Sequence, residues 1–439
     1  MSGQDINPYI WDDAETISRR ELDELQVERL RACVGRVAHS VPFYQRKLAE
    51  AHISPEAIKS IDDLARLPFT TKQDLRDHYP YGLLAVPMEQ VVRVHASSGT
   101  TGKLTVVAYT RADLDLWSAV MARALAAGGV TASDIVQNAY GYGLFTGGLG
   151  FHQGATRVGA AVIPVSGGNT PRQLQILQDF GSTVLCCTPS YALLIAETLA
   201  EEGIDPLELR LKVGLFGAEP WSEQMRGQIE AGLGVRALDH YGLSEVIGPG
   251  VASECLHQQG LHINEDHFIP EIVDPDTGER LPDHAVGELV FTCVTKEALP
   301  LLRYRTRDRA RLIREPCECG RTTVRMAKVL GRTDDMIIVR GVNVFPSQIE
   351  TVIVTVGEIA PYYQIVVDRS QTTMDELEVR VEAPAEIFAD RGRLEDLERR
   401  LIYGVESMLG ISCKVTLVGP KEIERSEGKA VRVVDKRRL

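Results

Sequence analysis

No apolar run in this chain approaches the roughly 20 residues that a membrane-spanning helix needs, so none of it reads as a bilayer-crossing segment. The stretch from Met1 to Trp11 is polar and acidic, without the basic, apolar and cleavage regions of a secretion signal. A cytoplasmic location is the expectation. Positive charge is scarce as well: 48 Lys and Arg stand against 61 Asp and Glu, a net charge of −13. Such a balance disfavours nucleic acid and anionic membranes as partners, so an anionic small molecule must be met by locally gathered Arg and Lys. Internal repeats and low-complexity tracts are absent too, and so is the GxxxxGK[ST] spacing of a Walker loop.

What the chain does have is length. With 439 residues it can bury a large core, and it is expected to divide into two or more domains. Its eight cysteines are unevenly spread, and in a reducing compartment their default state is the free thiol unless several converge on a metal.

The most informative stretch is Ser97-Ser98-Gly99-Thr100-Thr101-Gly102-Lys103, set between two runs rich in β-forming residues. It reads as strand, loop, strand. Glycines let backbone N–H groups turn inward, hydroxyls donate further bonds and a lysine adds a point charge, which together suit a polyphosphate. The same residues also make an ordinary polar hairpin.

Ahead of the loop, apolar spacing predicts helix over 19–51 with a break at Pro42, and a capped helix start over 67–75. Beyond it, helices over 111–128, 170–180, 190–202 and 223–232 alternate with strands over 161–165, 183–187 and 211–216. That alternation argues for a parallel sheet covered by helices, whose ligands sit beyond the carboxyl ends of the strands. Two such ends carry chemistry: Gly217-Ala218-Glu219-Pro220, and Asp239-His240-Tyr241-Gly242-Leu243-Ser244-Glu245. Gly217 and Ala218 leave room for a flat ring, Tyr241 can stack on it, and Glu245 can hold a divalent cation. Singly, each is equally an ordinary turn or a solvated charge. Residues 287–292 and 303–308 suggest a β-rich region with concentrated positive charge, in which Asp308 could accept ribose hydroxyls; the alternative is a surface cluster of ion pairs. A boundary falls at 331–335, and a small α+β unit follows, with strands near 336–339, 363–368, 376–382 and 414–418 and a helix over 391–409.

In their order and separation these motifs resemble the phenylacetate–CoA ligase family of the adenylate-forming acyl-CoA synthetases. The residues that carry the likeness are Ser97 to Lys103, Ala139 to Gly148, Tyr241 to Glu245, Glu297 to Pro300, Gly341 to Ser347, and Arg425-Ser426-Glu427-Gly428-Lys429. The resemblance implies an α/β fold: a large N-terminal adenylate-forming domain over 1–332, with parallel sheets and a β-rich subdomain, and a small mobile α+β C-terminal domain over 333–439. It implies an acid–thiol ligase that uses ATP, Mg2+ and coenzyme A on an aromatic carboxylic acid, phenylacetate first and benzoate types such as anthranilate next.

Residue by residue, the likeness gives Lys103 and Lys429 catalytic roles and assigns Ser97, Ser98, Gly99, Thr100, Thr101, Gly102 and Lys103 to the phosphates. Gly217, Ala218, Glu219, Pro220, Asp239, Tyr241, Gly242, Ser244 and Asp308 fall to adenine and ribose, and Glu245 to magnesium. Tyr140, Phe145 and Gly217 would line the acid pocket, Asp334 would be the hinge, and Gly341, Val342 and Asn343 the coenzyme A channel. Relatives commonly form homodimers. Two other readings stay open: loading of a carrier-protein pantetheine, and a non-catalytic ligand-binding protein on the same fold.

Cys255, His262, Cys317 and Cys319 form a complete tetrahedral zinc set of three thiolates and an imidazole, with the Cys-x-Cys-Gly turn aiming two sulfurs at one ion. Some relatives carry the same constellation with structural Zn2+. The alternative is four unconnected residues. Cys186, Cys187 and Cys293 read as buried thiols.

Overall fold

The computed structural model describes residues 9–97, 104–333, 337–340, 342–359, 362–368, 375–426 and 430–437. Ser18 starts the first helix, α1 (Arg19–Ser40), with a capping box to Glu21, and buries Leu22, Leu30, Val34 and Val37. α2 (Pro42–Glu50) begins at the proline expected to break the pattern, because a residue without an N–H fits the first helical position. Thr71 caps α3 (Lys72–Asp77). β1 (Arg93–Ser97) and β2 (Thr105–Tyr109) then pair antiparallel with Ser97 opposite Thr105, so strands stand on both sides of the hydroxyl-rich loop, as its flanks predicted.

After α4 (Arg111–Ala127) the chain alternates through β3 (Ile135–Asn138), α5 (Gly147–Val158), β4 (Ala161–Ile163), α6 (Thr170–Asp179), β5 (Val184–Cys187), α7 (Pro189–Glu201), β6 (Val213–Gly217), α8 (Glu223–Leu233) and β7 (Arg236–Leu243). Strands β4, β3, β5, β6 and β7 lie side by side and parallel. β5 and β6 are buried along their whole length, which is why they read as unbroken apolar runs. α5 crosses α4 at close range: a Cβ on Gly154 would stand 2.4 Å from the Met121 Cβ, so the small residue sets the approach.

From β7 the sheet turns antiparallel through β8 (Gly248–Glu254) and β9 (Leu261–Ile263). A separate antiparallel sheet follows, made of β10 (Phe268–Val273), β11 (Gly287–Cys293) and β12 (Tyr304–Ala310). β13 (Leu312–Ile313) and β14 (Arg325–Met326) return to the edge of the large sheet beside β9. The arginines here do not form a surface cluster. Arg303 is buried and pairs with Glu271 at 2.9 and 3.0 Å, and Arg305 pairs with the buried Glu288. Removing one partner of such a buried pair costs about 3–5 kcal/mol, since the other charge is left uncompensated.

The last part of the chain has a core of its own. A hairpin of β15 (Ile337–Val339) and β16 (Val342–Val344) leads into α9 (Pro346–Val356), β17 (Tyr363–Asp368), β18 (Glu376–Glu382), α10 (Ala385–Phe388), α11 (Arg391–Leu409), β19 (Lys414–Val418) and β20 (Val433–Asp435). The sheet order is β19, β18, β17, β20. α11 presents Leu397, Leu401, Val405 and Leu409, one helical turn apart, to that core, where they meet Ile349, Val352, Ile365 and Val379. Tyr362 and Ile423 join instead a core of the N-terminal part, the one that holds Leu199 and Trp221.

Candidate active site

β7 runs out at the carboxyl edge of the parallel strands, and its consecutive residues His240 and Tyr241 point to opposite faces. On one face the Tyr241 hydroxyl donates to Asp308 at 2.6 Å, and Arg332 donates to the other carboxylate oxygen at 2.9 Å. Burial, and then the neighbouring Asp308 charge, push the Tyr241 hydroxyl well above the ordinary tyrosine value. Its ring leans on Phe291, 6.1 Å between centroids. Gly242 has no room for a side chain, since a Cβ would lie 2.1 Å from the Gly248 carbonyl oxygen. The Ser244 hydroxyl is shared with Thr146.

Glu245 is buried just past this strand. Lys72 approaches its carboxylate to 3.3 Å, and the Ser97 hydroxyl lies 3.5 Å away. Lys296, 1% exposed, donates to the Glu245 carbonyl at 3.2 Å and sits 4.7 Å over the Tyr109 ring. Burial lowers its pKa. Neither lysine was marked by the sequence, where each is one cation in an unremarkable segment.

On the other face, Tyr140 stacks on Phe151 at 5.0 Å, and both meet His240 edge-on at 5.7 and 4.7 Å. Burial pulls the His240 pKa down to about 3, so the ring is neutral at pH 7. Gly217 makes the arrangement possible: a Cβ there would fall 2.2 Å from the His240 carbonyl oxygen. The Asn138 amide donates to the Gly148 carbonyl at 2.7 Å and the Tyr142 hydroxyl at 2.8 Å, tying together the two ends of the connection into α5. Phe145 is not one of the rings stacked here. It is 58% exposed, on a turn whose Leu144 carbonyl accepts from the Ala96 amide, and the buried aromatic partner of Tyr140 is Phe151. Aromatic type alone could not separate the two, because the α5 start at Gly147 that buries one and exposes the other is masked by three glycines at 147, 148 and 150.

Ala218 and Pro220 are exposed, with Ala218 at a φ of +71°. The Glu219 carboxylate between them accepts from two backbone amides, those of Ser190 and Ala430. Asp239 is pushed up to about 7, first by burial and then by Glu254, whose carboxylate accepts from the Asp239 amide and grips Arg226 at 2.8 and 3.0 Å. Ser98, Gly99, Thr100, Thr101, Gly102, Lys103, Asp334, Gly341 and Lys429 lie outside the described residues. Val342 and Asn343 are in β16, opposite Val339 and Ile338; the Asn343 side chain is outside the description.

The structure does gather the soft ligands. Cys255, His262, Cys317 and Cys319 are all buried, with one ligand atom of each within 4.8 Å of the others. Cys255 Sγ and Cys317 Sγ are 3.7 Å apart, and Cys319 Sγ is 3.3 Å from His262 Nε2. Tetrahedral zinc with bonds of about 2.3 Å to sulfur and 2.0 Å to nitrogen needs ligand separations of about 3.8 and 3.5 Å. Arg321, next after the Cys-Glu-Cys-Gly turn, bonds to Glu15 and to the Tyr9 carbonyl, which joins the cluster to the segment ahead of α1. Cys33, Cys186, Cys187 and Cys293 are buried free thiols.

Residues 21–293 match the family model described as AMP-binding enzyme, and residues 341–437 match the AMP-binding enzyme C-terminal domain. A phenylacetate-coenzyme A ligase of Thermus thermophilus is 53% identical over 97% of this chain and 98% of its own length. Among solved structures, 2-hydroxyisobutyryl-CoA ligase in the postadenylation state, in complex with R3-HIB-AMP, superposes with a TM-score of 0.89 at 29% identity, covering 99% of this chain and 94% of that one. The same ligase in complex with 2-HIB-AMP and CoA, in the thioesterification state, gives 0.72 at 31% identity, covering 96% and 91%.

The neutral His240 makes stability depend on pH with a definite sign. Its folded pKa of about 3 lies below the ordinary 6.5, so between those values the unfolded chain binds the extra proton. Stability from this group is complete above pH 6.5 and falls as pH drops, by up to about 1.4 kcal/mol per pH unit. Thermal melts of His240→Gln should therefore show a flatter acid limb than wild type from pH 6.5 downward; parallel limbs would contradict the buried neutral ring.

Proposed function

The chain belongs to the phenylacetate–CoA ligase family of AMP-binding enzymes, and from that membership we propose that it joins phenylacetate to coenzyme A in two ATP-dependent steps. Benzoate-type acids such as anthranilate are the next choice. In the first step a carboxylate oxygen attacks the α-phosphorus of ATP, and the bond to pyrophosphate breaks. In the second, the coenzyme A thiol sulfur attacks the acyl carbon, the thiol proton is lost and AMP leaves. No base is needed for the first attack, because a carboxylic acid is already ionised at pH 7.

The observation that carries the reading is the division of labour across β7, with His240 against the stacked Tyr140 and Phe151 and Tyr241 bonded to Asp308. A flat apolar ring suits the first side. His240 is neutral, so the wall offers no charge to the acid's carboxylate, which is better solvated toward the phosphate end. On the other side Asp308, fixed by Tyr241 and Arg332, is the carboxylate that would accept the ribose hydroxyls. Lys103 and the hydroxyls of its loop would hold the outer phosphates, where charge grows as pyrophosphate leaves. Lys429 would bridge the carboxylate and the α-phosphate oxygens, offsetting their repulsion.

Glu245 fits magnesium as a single buried carboxylate near Ser97, with Lys72 at 3.3 Å as its present counter-ion. When bound, the ion supplies positive charge next to the phosphate oxygens. The three cysteines and His262 fit structural zinc by ligand type and by separation. Three thiolates around Zn2+ carry a net charge of −1, which the adjacent Arg321 would offset. A homodimer in the cytoplasm is what family membership further suggests.

Incubated with ATP, magnesium, coenzyme A and a panel of aryl acids, the protein should release pyrophosphate and form thioester fastest with phenylacetate. No acid-dependent pyrophosphate release anywhere in the panel would overturn the ligase reading. Protein purified without chelator should contain one zinc per chain by elemental analysis, and Cys255→Ser should lose it and melt at lower temperature. Metal-free protein of undiminished stability would remove the zinc assignment.

A further inference from the structure

Glu219 follows β6 in the turn where Ala218 takes a φ of +71°, a backbone state that side chains with a Cβ rarely adopt. Its carboxylate reaches out of this turn in two directions. One oxygen accepts from the Ser190 amide at 2.7 Å, the other from the Ala430 amide at 2.8 Å. Ser190 is the second residue of α7, after Pro189, so its N–H is the first that the helix has to offer and lies at the positive end of the helix dipole. Ala430 belongs to the C-terminal part of the chain and comes directly after Lys429 in the sequence.

The contacts around this bridge also cross between the two parts. Arg425 reaches Glu197 of α7 at 3.4 Å while gripping Glu382 of its own sheet at 2.6 and 2.7 Å, and its guanidinium lies 3.3 Å over the Tyr362 ring. Lys421 pairs with Glu201 at the end of α7. One solved relative, held in two states, gives TM-scores of 0.89 for the postadenylation arrangement and 0.72 for the thioesterification arrangement at nearly equal coverage. The Glu219 bridge is therefore seen in an arrangement that resembles the first of them.

We propose that Glu219 is a positioning residue for adenylate formation: its carboxylate fixes the backbone at Ala430, beside Lys429, against the first turn of α7, and lets go when the C-terminal unit rotates for thioester formation. This goes beyond the lining role expected of the turn, in which Glu219 would act on adenine. It rests on the ligase reading above. An adenine contact would serve both half-reactions, because the acyl-adenylate keeps its adenine throughout. The bridge serves only the first.

The test uses full-length wild type, Glu219→Ala and Glu219→Gln in the two half-reactions measured separately. In acid-dependent ATP–pyrophosphate exchange, Glu219→Ala should lose about 10- to 100-fold in kcat, the scale of a catalytic group displaced by about 1 Å, with the KM for ATP little changed. Thioester formation from supplied phenylacetyl-adenylate should match wild type. Glu219→Gln keeps the side chain's shape and one acceptor oxygen, so its exchange rate should fall between the other two. Equal losses in both half-reactions, or a raised KM for ATP with kcat intact, would overturn the proposal alone. A wild type that neither exchanges pyrophosphate nor makes thioester would overturn the ligase reading as well.

Discussion

A carboxylate and a triphosphate repel each other, and the proposed chemistry requires them to touch. At 4 Å two unit charges near a protein surface cost or gain about 4 kcal/mol, and a triphosphate carries several. The chain has a net charge of −13, so the cations that permit this contact cannot come from a generally basic surface. Among the described residues Lys72 pairs with Glu245, Arg332 with Asp308, Arg226 with Glu254 and Arg303 with Glu271, while the buried Lys296 donates to the Glu245 carbonyl. What the fold supplies there is a set of carboxylates held in known places by their counter-ions. In the proposed mechanism the charge that meets substrate comes from Lys103 and Lys429, each directly after a glycine in the sequence.

That constraint gives the two-part architecture its use. The parallel strands end at a fixed edge where β7 presents His240 to one side and Tyr241 to the other. The C-terminal unit has its own core around Ile349, Ile365, Val379 and Leu401, so it can move as a body without opening the large one. Its present hold on α7 is polar at the rim, through Arg425, Glu197 and Lys421, with Tyr362 and Ile423 as the apolar anchor. In the proposed mechanism this joint is made for adenylate formation and released for thioester formation. The buried cysteine and histidine cluster joins the residue after β8, β9 and the segment before β14, and the neighbouring Arg321 ties it to Glu15 near the amino end.

Much of this was legible in the sequence, and the exceptions have physical causes. The alternating strands and helices, the break at Pro42 and the helix over Arg391–Leu409 follow local patterns of apolar spacing and backbone chemistry, and they fell where the patterns put them. That Cys255, His262, Cys317 and Cys319 come together was legible because metal coordination restricts residue type tightly. Phe151 was missed as the ring stacked on Tyr140 because burial of an aromatic side chain depends on where a helix begins, and the glycines around the start of α5 blur that point. A surface cluster of ion pairs stayed open as an alternative for Arg303 and Arg305 because their partners, Glu271 and Glu288, lie on other strands and are not adjacent in sequence. For the same reason nothing marked Lys72 as the partner of Glu245, or the Glu219 carboxylate as the link to Ala430.

The central claim is that an ammonium group brought by the C-terminal unit makes the meeting of two anions possible and then has no further part. It is tested most directly by replacing Lys429 with alanine and following the two half-reactions apart. The account predicts that adenylate formation falls by at least about 100-fold, the scale of losing one group that stabilises developing charge, while thioester formation from supplied phenylacetyl-adenylate continues at the wild-type rate. Equal loss in both steps, or an adenylation rate that survives the substitution, would contradict it.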